Sequence, residues 1–156
     1  MTPLTGHNPV NPNHRSVVFD DIDAGFKIAE WSDVNYDPLH DSVCASLRGT
    51  EVLGGMIYKD FQDGHCCTMH VGSSHPNFCT KEFLWSIFYY PFVLRRCKVV
   101  FGTLPSYNLH ALKVDLKLGF KEVARVPNGF ANGDLVVLAM YKDECRYLDM
   151  AMRRKF

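Results

Sequence analysis

The apolar positions of this 156-residue chain change period several times, and each change marks an element. The clearest unit runs from Lys98 to Phe120. Val99, Val100, Phe101, Thr103 and Leu104, interrupted only by Gly102, show no polar alternation and predict a short strand buried on both faces. Pro105 and Ser106 end it, because proline cannot donate to a ladder and favours a turn. Asn108 suits an N-cap. Leu109, Leu112, Val114, Leu116 and Leu118 then recur at helical spacing, with Lys113 and Lys117 between them. Gly119 stands where a C′ glycine stops a helix, Lys117 suits the negative end of the dipole, and Phe120 opens another strand.

Upstream, residues 1–16 read as an irregular arm, with three prolines and three asparagines among the first 14. Val17–Phe19 form a short strand, and Asp20 or Asp21 caps a helix to about Trp31 whose apolar residues are Ile22, Phe26, Ile28 and Ala29. Residues 32–41 are a polar loop carrying Asp37, His40 and Asp41. Ser42–Arg48 and Glu51–Lys59 pair as a hairpin, and Gly54-Gly55 predict a bulge or a close backbone approach. Asp63-Gly64 turns the chain into the strand His65–Gly72. Thr80–Arg95 is a helix apolar over most of its circumference, to be kinked or cut short by Pro91. Phe120–Val126 and Asp134–Tyr141 close the domain around a loop with Pro127-Asn128-Gly129 and Asn132-Gly133. Residues 143–156 form a short tail. The order is β-α-β-β-β-α-β-α-β-β in one domain over residues 17–142, an α/β fold.

Composition narrows the function. Apolar residues make up 47% of the chain, enough for a proper core. Seventeen basic residues balance 17 acidic ones, which argues against nucleic acid as a partner. No apolar run is long enough to span a membrane, since Ser86 and Pro91 interrupt the best one. The polar, proline-rich start predicts no signal peptide. Six cysteines without regular spacing read as reduced thiols of a cytoplasmic protein. His65, Cys66, Cys67 and His70 invite a metal reading. Neighbouring strand residues point to opposite faces, however, so Cys66 and Cys67 cannot share one ion, and no metal site is expected. Trp31 and Trp85 read as core, because no basic residues interleave with the aromatics.

Asn108, Ala111, Gly119 and Phe120 fall at the spacing of the Asn-x-x-Ala, helix, Gly-Phe pattern in the C-terminal half of GNAT acyltransferases. The chain resembles that superfamily over about residues 17–142. The closing run Tyr141–Leu148 and the aromatic run Phe83–Phe92 are most similar to the divergent GNAT-like proteins encoded by tailed bacteriophages. The resemblance implies a mixed, mostly antiparallel sheet splayed at its centre, with helices on both faces. It implies acetyl-CoA as co-substrate and direct transfer of the acetyl group to an amine. The alternative is a non-catalytic GNAT-fold phage protein that binds a host or virion protein. The acceptor stays open, a host protein among the options, as does a homodimer; the host cytoplasm is the compartment implied for a phage-encoded chain.

The same resemblance assigns candidate residues. Amides near His70, Val71 and Gly72 would hold the pantetheine arm and polarise the thioester carbonyl. The loop His75–Thr80, with Asn77, Phe78, Cys79 and the first helical residue Lys81, would face the diphosphate at a helix N-terminus. Here the family's Arg/Gln-x-x-Gly-x-Gly/Ala loop has lost both glycines, with Phe78 in place of one. Asn108 would contact the pantetheine region as well as cap its helix. The position of the general acid, often a tyrosine, falls on Asp115. By its own chemistry that residue reads as a solvated helix aspartate, which leaves Tyr107 as the substitute. His70 suits a general base because histidine titrates near neutrality; a hydrogen-bonded strand histidine reads the same way in sequence. Glu51 and His40 are further base candidates.

Overall fold

The computed structural model describes residues 11–149. Its strands are β1 (Arg15–Phe19), β2 (Ser42–Arg48), β3 (Glu51–Gln62), β4 (Cys66–Ser73), β5 (Val99–Pro105), β6 (Lys121–Phe130) and β7 (Gly133–Tyr141). They form one sheet in the order β1-β2-β3-β4-β5-β7-β6. Only β4 and β5 run parallel. The helices are α1 (Ile22–Ser32), α2 (Lys81–Tyr89) and α3 (Leu109–Leu118).

Strand alternation decides which helix covers which face. Gly72 of β4 lies against α1, where a Cβ would stand 2.6 Å from the Ile28 carbonyl oxygen. Thr68 and His70, four and two residues back, therefore share the α1 face. Met69 and Cys67 point the other way, into a core of Phe83, Ile87 and Phe88 from α2. Leu104, Val136 and Leu138 meet Ala111 and Leu112 of α3 on that same far face. So α1 stands alone on one side, over β2, β3 and β4, while α2 and α3 share the other.

Several sequence expectations hold in detail. Asp21 caps α1 by accepting the Ala24 N–H (2.9 Å), and Asn108 caps α3 by accepting that of Ala111 (3.2 Å). Gly119 takes φ 115° and closes α3, its N–H directed at the carbonyls of Asp115 and Leu116. Gly55 is a close-approach glycine, because a Cβ there would sit 2.3 Å from Ile28 Cδ1.

Others are corrected. β5 is not buried on both faces: Val100 and Leu104 are buried, but Thr103 is exposed because α1 does not reach across β5. The helix expected over Thr80–Arg95 ends at Tyr89 and continues as one π turn, Tyr90–Leu94. Pro91 has no N–H to continue an α-helical ladder, so the wider turn carries the chain past it. The first strand begins at Arg15, inside the expected arm, and residues 1–10 lie outside the described part. β3 runs on to Gln62. Pro127-Asn128-Gly129 belongs to β6, where the register with β7 shifts, and is not a loop. Lys142–Glu144 form a 3-10 turn, and residues 150–156 of the expected tail are outside the described residues. Among the described residues no helix is long and apolar enough to cross a membrane.

Candidate active site

β4 and β5 pair for only three residues, Cys66 with Val99, Cys67 with Val100 and Thr68 with Phe101, and then part. On its other edge β4 stays paired with β3 as far as Ser73. The Ser74 N–H donates to the Leu53 carbonyl (3.0 Å). Alternation along this antiparallel ladder then turns the N–H groups of Gly72 and His70 toward β3. Those of Val71 and Ser73 face the gap, whereas the Met69 N–H, on the same edge, is taken up by the Phe101 carbonyl in the last rung of the β4–β5 ladder. Of the amides expected to serve the thioester, that of Val71 faces the gap, while those of His70 and Gly72 are committed to the sheet. Gly102 marks the fork, because a Cβ there would stand 3.3 Å from the Met69 carbonyl oxygen.

A cavity of about 660 Å³ occupies the gap, lined by residues from both faces of the sheet. Trp31 and Ser32 from the end of α1, with His70 and Thr103, line its mouth on the α1 face. Asn108, His110, Ala111, Val114 and Asp115 of the α3 segment line the opposite side with Phe120. Two titratable groups thus flank one opening from opposite faces.

His70 is half-buried, and its Nε2 lies 2.9 Å from Thr68 Oγ1. Burial holds its imidazole below the ordinary value, Lys59 adding to the effect against Asp60 and Asp41. It is therefore neutral at pH 7 and able to take up a proton. Asp115 corrects the solvated reading. It is half-buried in the cleft wall, and burial pushes its carboxyl up to about 6. About one carboxyl in ten then still holds its proton at pH 7.

The loop before α2 departs from the expectation most. His75 Nδ1 accepts the N–H of Asn77 (3.1 Å), so that nitrogen is engaged inside the loop. Thr80 caps α2 by accepting the Phe83 N–H (3.1 Å), and Lys81, exposed, begins the helix. The Phe78 ring lies against Gly54 and meets Phe83 edge-on at 5.6 Å, filling space the missing glycines would leave open. Sequence reasoning missed the residue that organises this loop. Arg15 Nη2 donates to the carbonyls of Asn77 (2.9 Å) and Phe78 (3.2 Å), and Ser46 Oγ donates to the latter as well. In a planar trans peptide the N–H opposes the C=O. The N–H groups of Phe78 and Cys79 therefore both point away from Arg15.

Of the sequence-predicted residues, His70, Val71, Gly72, Phe78, Cys79, Asn108 and Asp115 line the cleft. His75, Asn77, Thr80 and Lys81 sit in or beside its loop without lining it. Tyr107 is 60% exposed and packs where a Cβ on Gly133 would stand, outside the cavity. His40 is 2.6 Å from Asp37 on an exposed loop, and Glu51 pairs with Arg48 at 3.1 Å; neither reaches the cleft. All six cysteines are free. Among the described residues no three His, Cys, Asp or Glu side chains gather as a metal site.

No family model matches the sequence, and no curated protein does. Solved structures do. A chimera of the Vibrio cholerae spermidine N-acetyltransferase SpeG and hSSAT aligns with a TM-score of 0.65 and 11% identity over 86% of this chain and 98% of its own. The structure of yncA from Salmonella typhimurium with its cofactor acetyl-CoA gives 0.62 and 20% over 84% and 95%. The Campylobacter jejuni N-acetyltransferase PseH in complex with acetyl coenzyme A gives 0.57 and 11% over 83% and 99%. At these identities the likeness establishes the fold. It is the GNAT fold, with the element order and central splay that the sequence led us to expect.

Proposed function

We propose that this protein is an N-acetyltransferase that moves an acetyl group from acetyl-CoA to an amine by direct attack. The observation that carries the reading is the parting of β4 and β5 after Thr68–Phe101, with His70 and Asp115 lining the cavity there from opposite faces. The gap suits an extended pantetheine arm, whose amides can pair with the Met69 carbonyl and the free backbone groups of Val71 and Ser73 as a strand would. The diphosphate would meet backbone N–H groups alone, those of Phe78 and Cys79 and of the first turn of α2, with Lys81 beside them.

Bound acetyl-CoA supplies a thioester carbon open to attack by an amine. The Val71 N–H, preorganised at the gap, donates a hydrogen bond to the carbonyl oxygen as negative charge builds there. His70 removes the proton that the amine must lose as its C–N bond forms. As the C–S bond breaks, protonated Asp115 gives its proton to the sulfur. The polarised carbonyl and the two proton transfers need no covalent enzyme intermediate.

One observation favours a second reading, a GNAT-fold protein that binds a host or virion protein without catalysis. Phe78 fills the loop where the family places glycine, and Glu82 puts an acidic side chain in the first turn of α2. The aromatic run and closing segment support a phage-encoded chain acting in the host cytoplasm, as do the six free thiols. Calorimetric titration with acetyl-CoA separates the readings. Binding that raises thermal stability, by about 2.7 kcal/mol at 100 times the dissociation constant, supports the enzyme. No binding at millimolar ligand leaves the protein-binding role.

A further inference from the structure

Behind His70 lies an arrangement that acetyl transfer does not by itself require. Thr68 Oγ1 lies 2.9 Å from His70 Nε2, 3.1 Å from Asp60 Oδ2 and 3.2 Å from the Lys59 carbonyl oxygen. The last two atoms only accept hydrogen bonds, and the hydroxyl has a single proton to give. Directing it at His70 would leave a carboxylate oxygen facing the hydroxyl oxygen with no hydrogen between them. The hydroxyl therefore donates toward Asp60 or Lys59, and His70 Nε2–H donates to the hydroxyl. A neutral imidazole has one N–H, so its lone pair then sits on Nδ1.

The backbone is bent to make this possible. Lys59 pairs with Thr68 and Gln62 with Cys66, so β3 carries one residue more than β4 across this stretch, a bulge. Asp60 occupies it at φ 54°, in the left-handed region that non-glycine residues seldom adopt. The bulge brings the Asp60 carboxylate to the Thr68 hydroxyl, which sits on the α1 face beside His70. The other charged groups bearing on His70 are Lys59 on β3 and Asp41 before β2, which pair with each other at 2.6 Å. α1 contributes Trp31 and Ser32, which carry no charge, to the same mouth.

We infer that Thr68 and Asp60 are positioning residues: held by the β3 bulge, they fix His70 as its Nε2–H tautomer with Nδ1 free to accept the substrate proton. The inference rests on the reading of His70 as the general base.

Long-range proton–nitrogen correlation spectra of the uniformly nitrogen-15-labelled chain at pH 7.5 test it without any variant. His70 is expected to show a protonated Nε2 and a bare Nδ1. Thr68→Val keeps the shape and strand preference of the side chain but removes the hydroxyl. It is expected to leave His70 as a mixture of tautomers and to lower kcat about tenfold or more, within the range a general base supplies, while KM for acetyl-CoA changes less than about twofold. Thr68→Ser restores both readouts. Asp60→Asn, whose side chain tolerates the same backbone, lowers kcat in the same direction by less. A protonated Nδ1 in the wild type overturns the inference, as does a Thr68→Val protein with unchanged tautomer and kcat. A wild type that binds acetyl-CoA yet transfers nothing to any amine overturns the reading beneath it instead.

Discussion

Gly102 passes the carbonyl oxygen of Met69 so closely that a Cβ would stand 3.3 Å from it. This is the point at which β5 leaves β4, and a side chain there would project toward the fork. Gly102→Val is therefore expected to narrow the gap without unfolding the protein, since φ at Gly102 lies outside the left-handed region. Acetyl-CoA affinity should fall about tenfold, or ~1.4 kcal/mol, by calorimetry. The thermal midpoint should stay within a few degrees of the wild type. Unchanged affinity would place the pantetheine arm elsewhere.

Asp115 ties stability to pH. Its folded pKa of about 6 lies above the unfolded value of about 3.9, so the unfolded chain ionises first as pH rises. Whatever stability the protonated carboxyl contributes is present below about pH 4 and lost as pH climbs through about 6. Asp115→Asn removes this dependence. The variant's melting temperature, measured against wild type, should therefore gain between about pH 4 and pH 7. The proposed role of Asp115 as acid predicts a kinetic effect of the same sign: the fall of kcat above about pH 6 should flatten in the variant. Parallel melting curves at both pH values would contradict the burial argument.

Gly119 at φ 115° cannot be replaced freely. Gly119→Ala should destabilise the protein by about 1 kcal/mol or more, read from urea unfolding. An alanine variant as stable as wild type would mean that the turn after α3 relaxes at no cost.

Arg15 is expected to act on donor binding from outside the cavity. Arg15→Ala leaves the carbonyls of Asn77 and Phe78 without their charged donor and frees the loop to turn its amides away. Acetyl-CoA binding should weaken by about 1–3 kcal/mol, the scale of a charged hydrogen bond. Binding of the amine acceptor should not change. Equal affinity in a titration of the two proteins would show that the loop keeps its shape without Arg15.

What was legible in the sequence was what neighbouring residues settle among themselves. Asn108 and Gly119 bracket α3 through their own backbone preferences, and the order of elements located the splay. Asp115 was misread because the burial of a helix position depends on which strand pair opens beneath it. Arg15 escaped notice because its partners lie 62 and 63 residues away and nothing in Arg15-Ser16-Val17 points to them. The Thr68–Asp60 contact depends on a bulge, and Lys59-Asp60-Phe61 reads as ordinary strand until its register with β4 is known. Pro91 announced a break in the second helix, but whether the chain would stop or widen into a π turn was settled by the packing of Tyr90 and Phe92 in the core.

Three residue pairs join a panel of four strands, β1 to β4, to a panel of three, β5, β7 and β6. This short seam and the apolar core shared under α2 keep the panels in line, and the seam is expected to act as a hinge with the α2 core as its spring. A molecule lodged in the gap and paired to both strand edges would act as a rivet across the hinge. Rigidity of the whole sheet then becomes a report of occupancy. The amides of Val71 and Thr103 should exchange with solvent quickly in the open form and slowly in the riveted one.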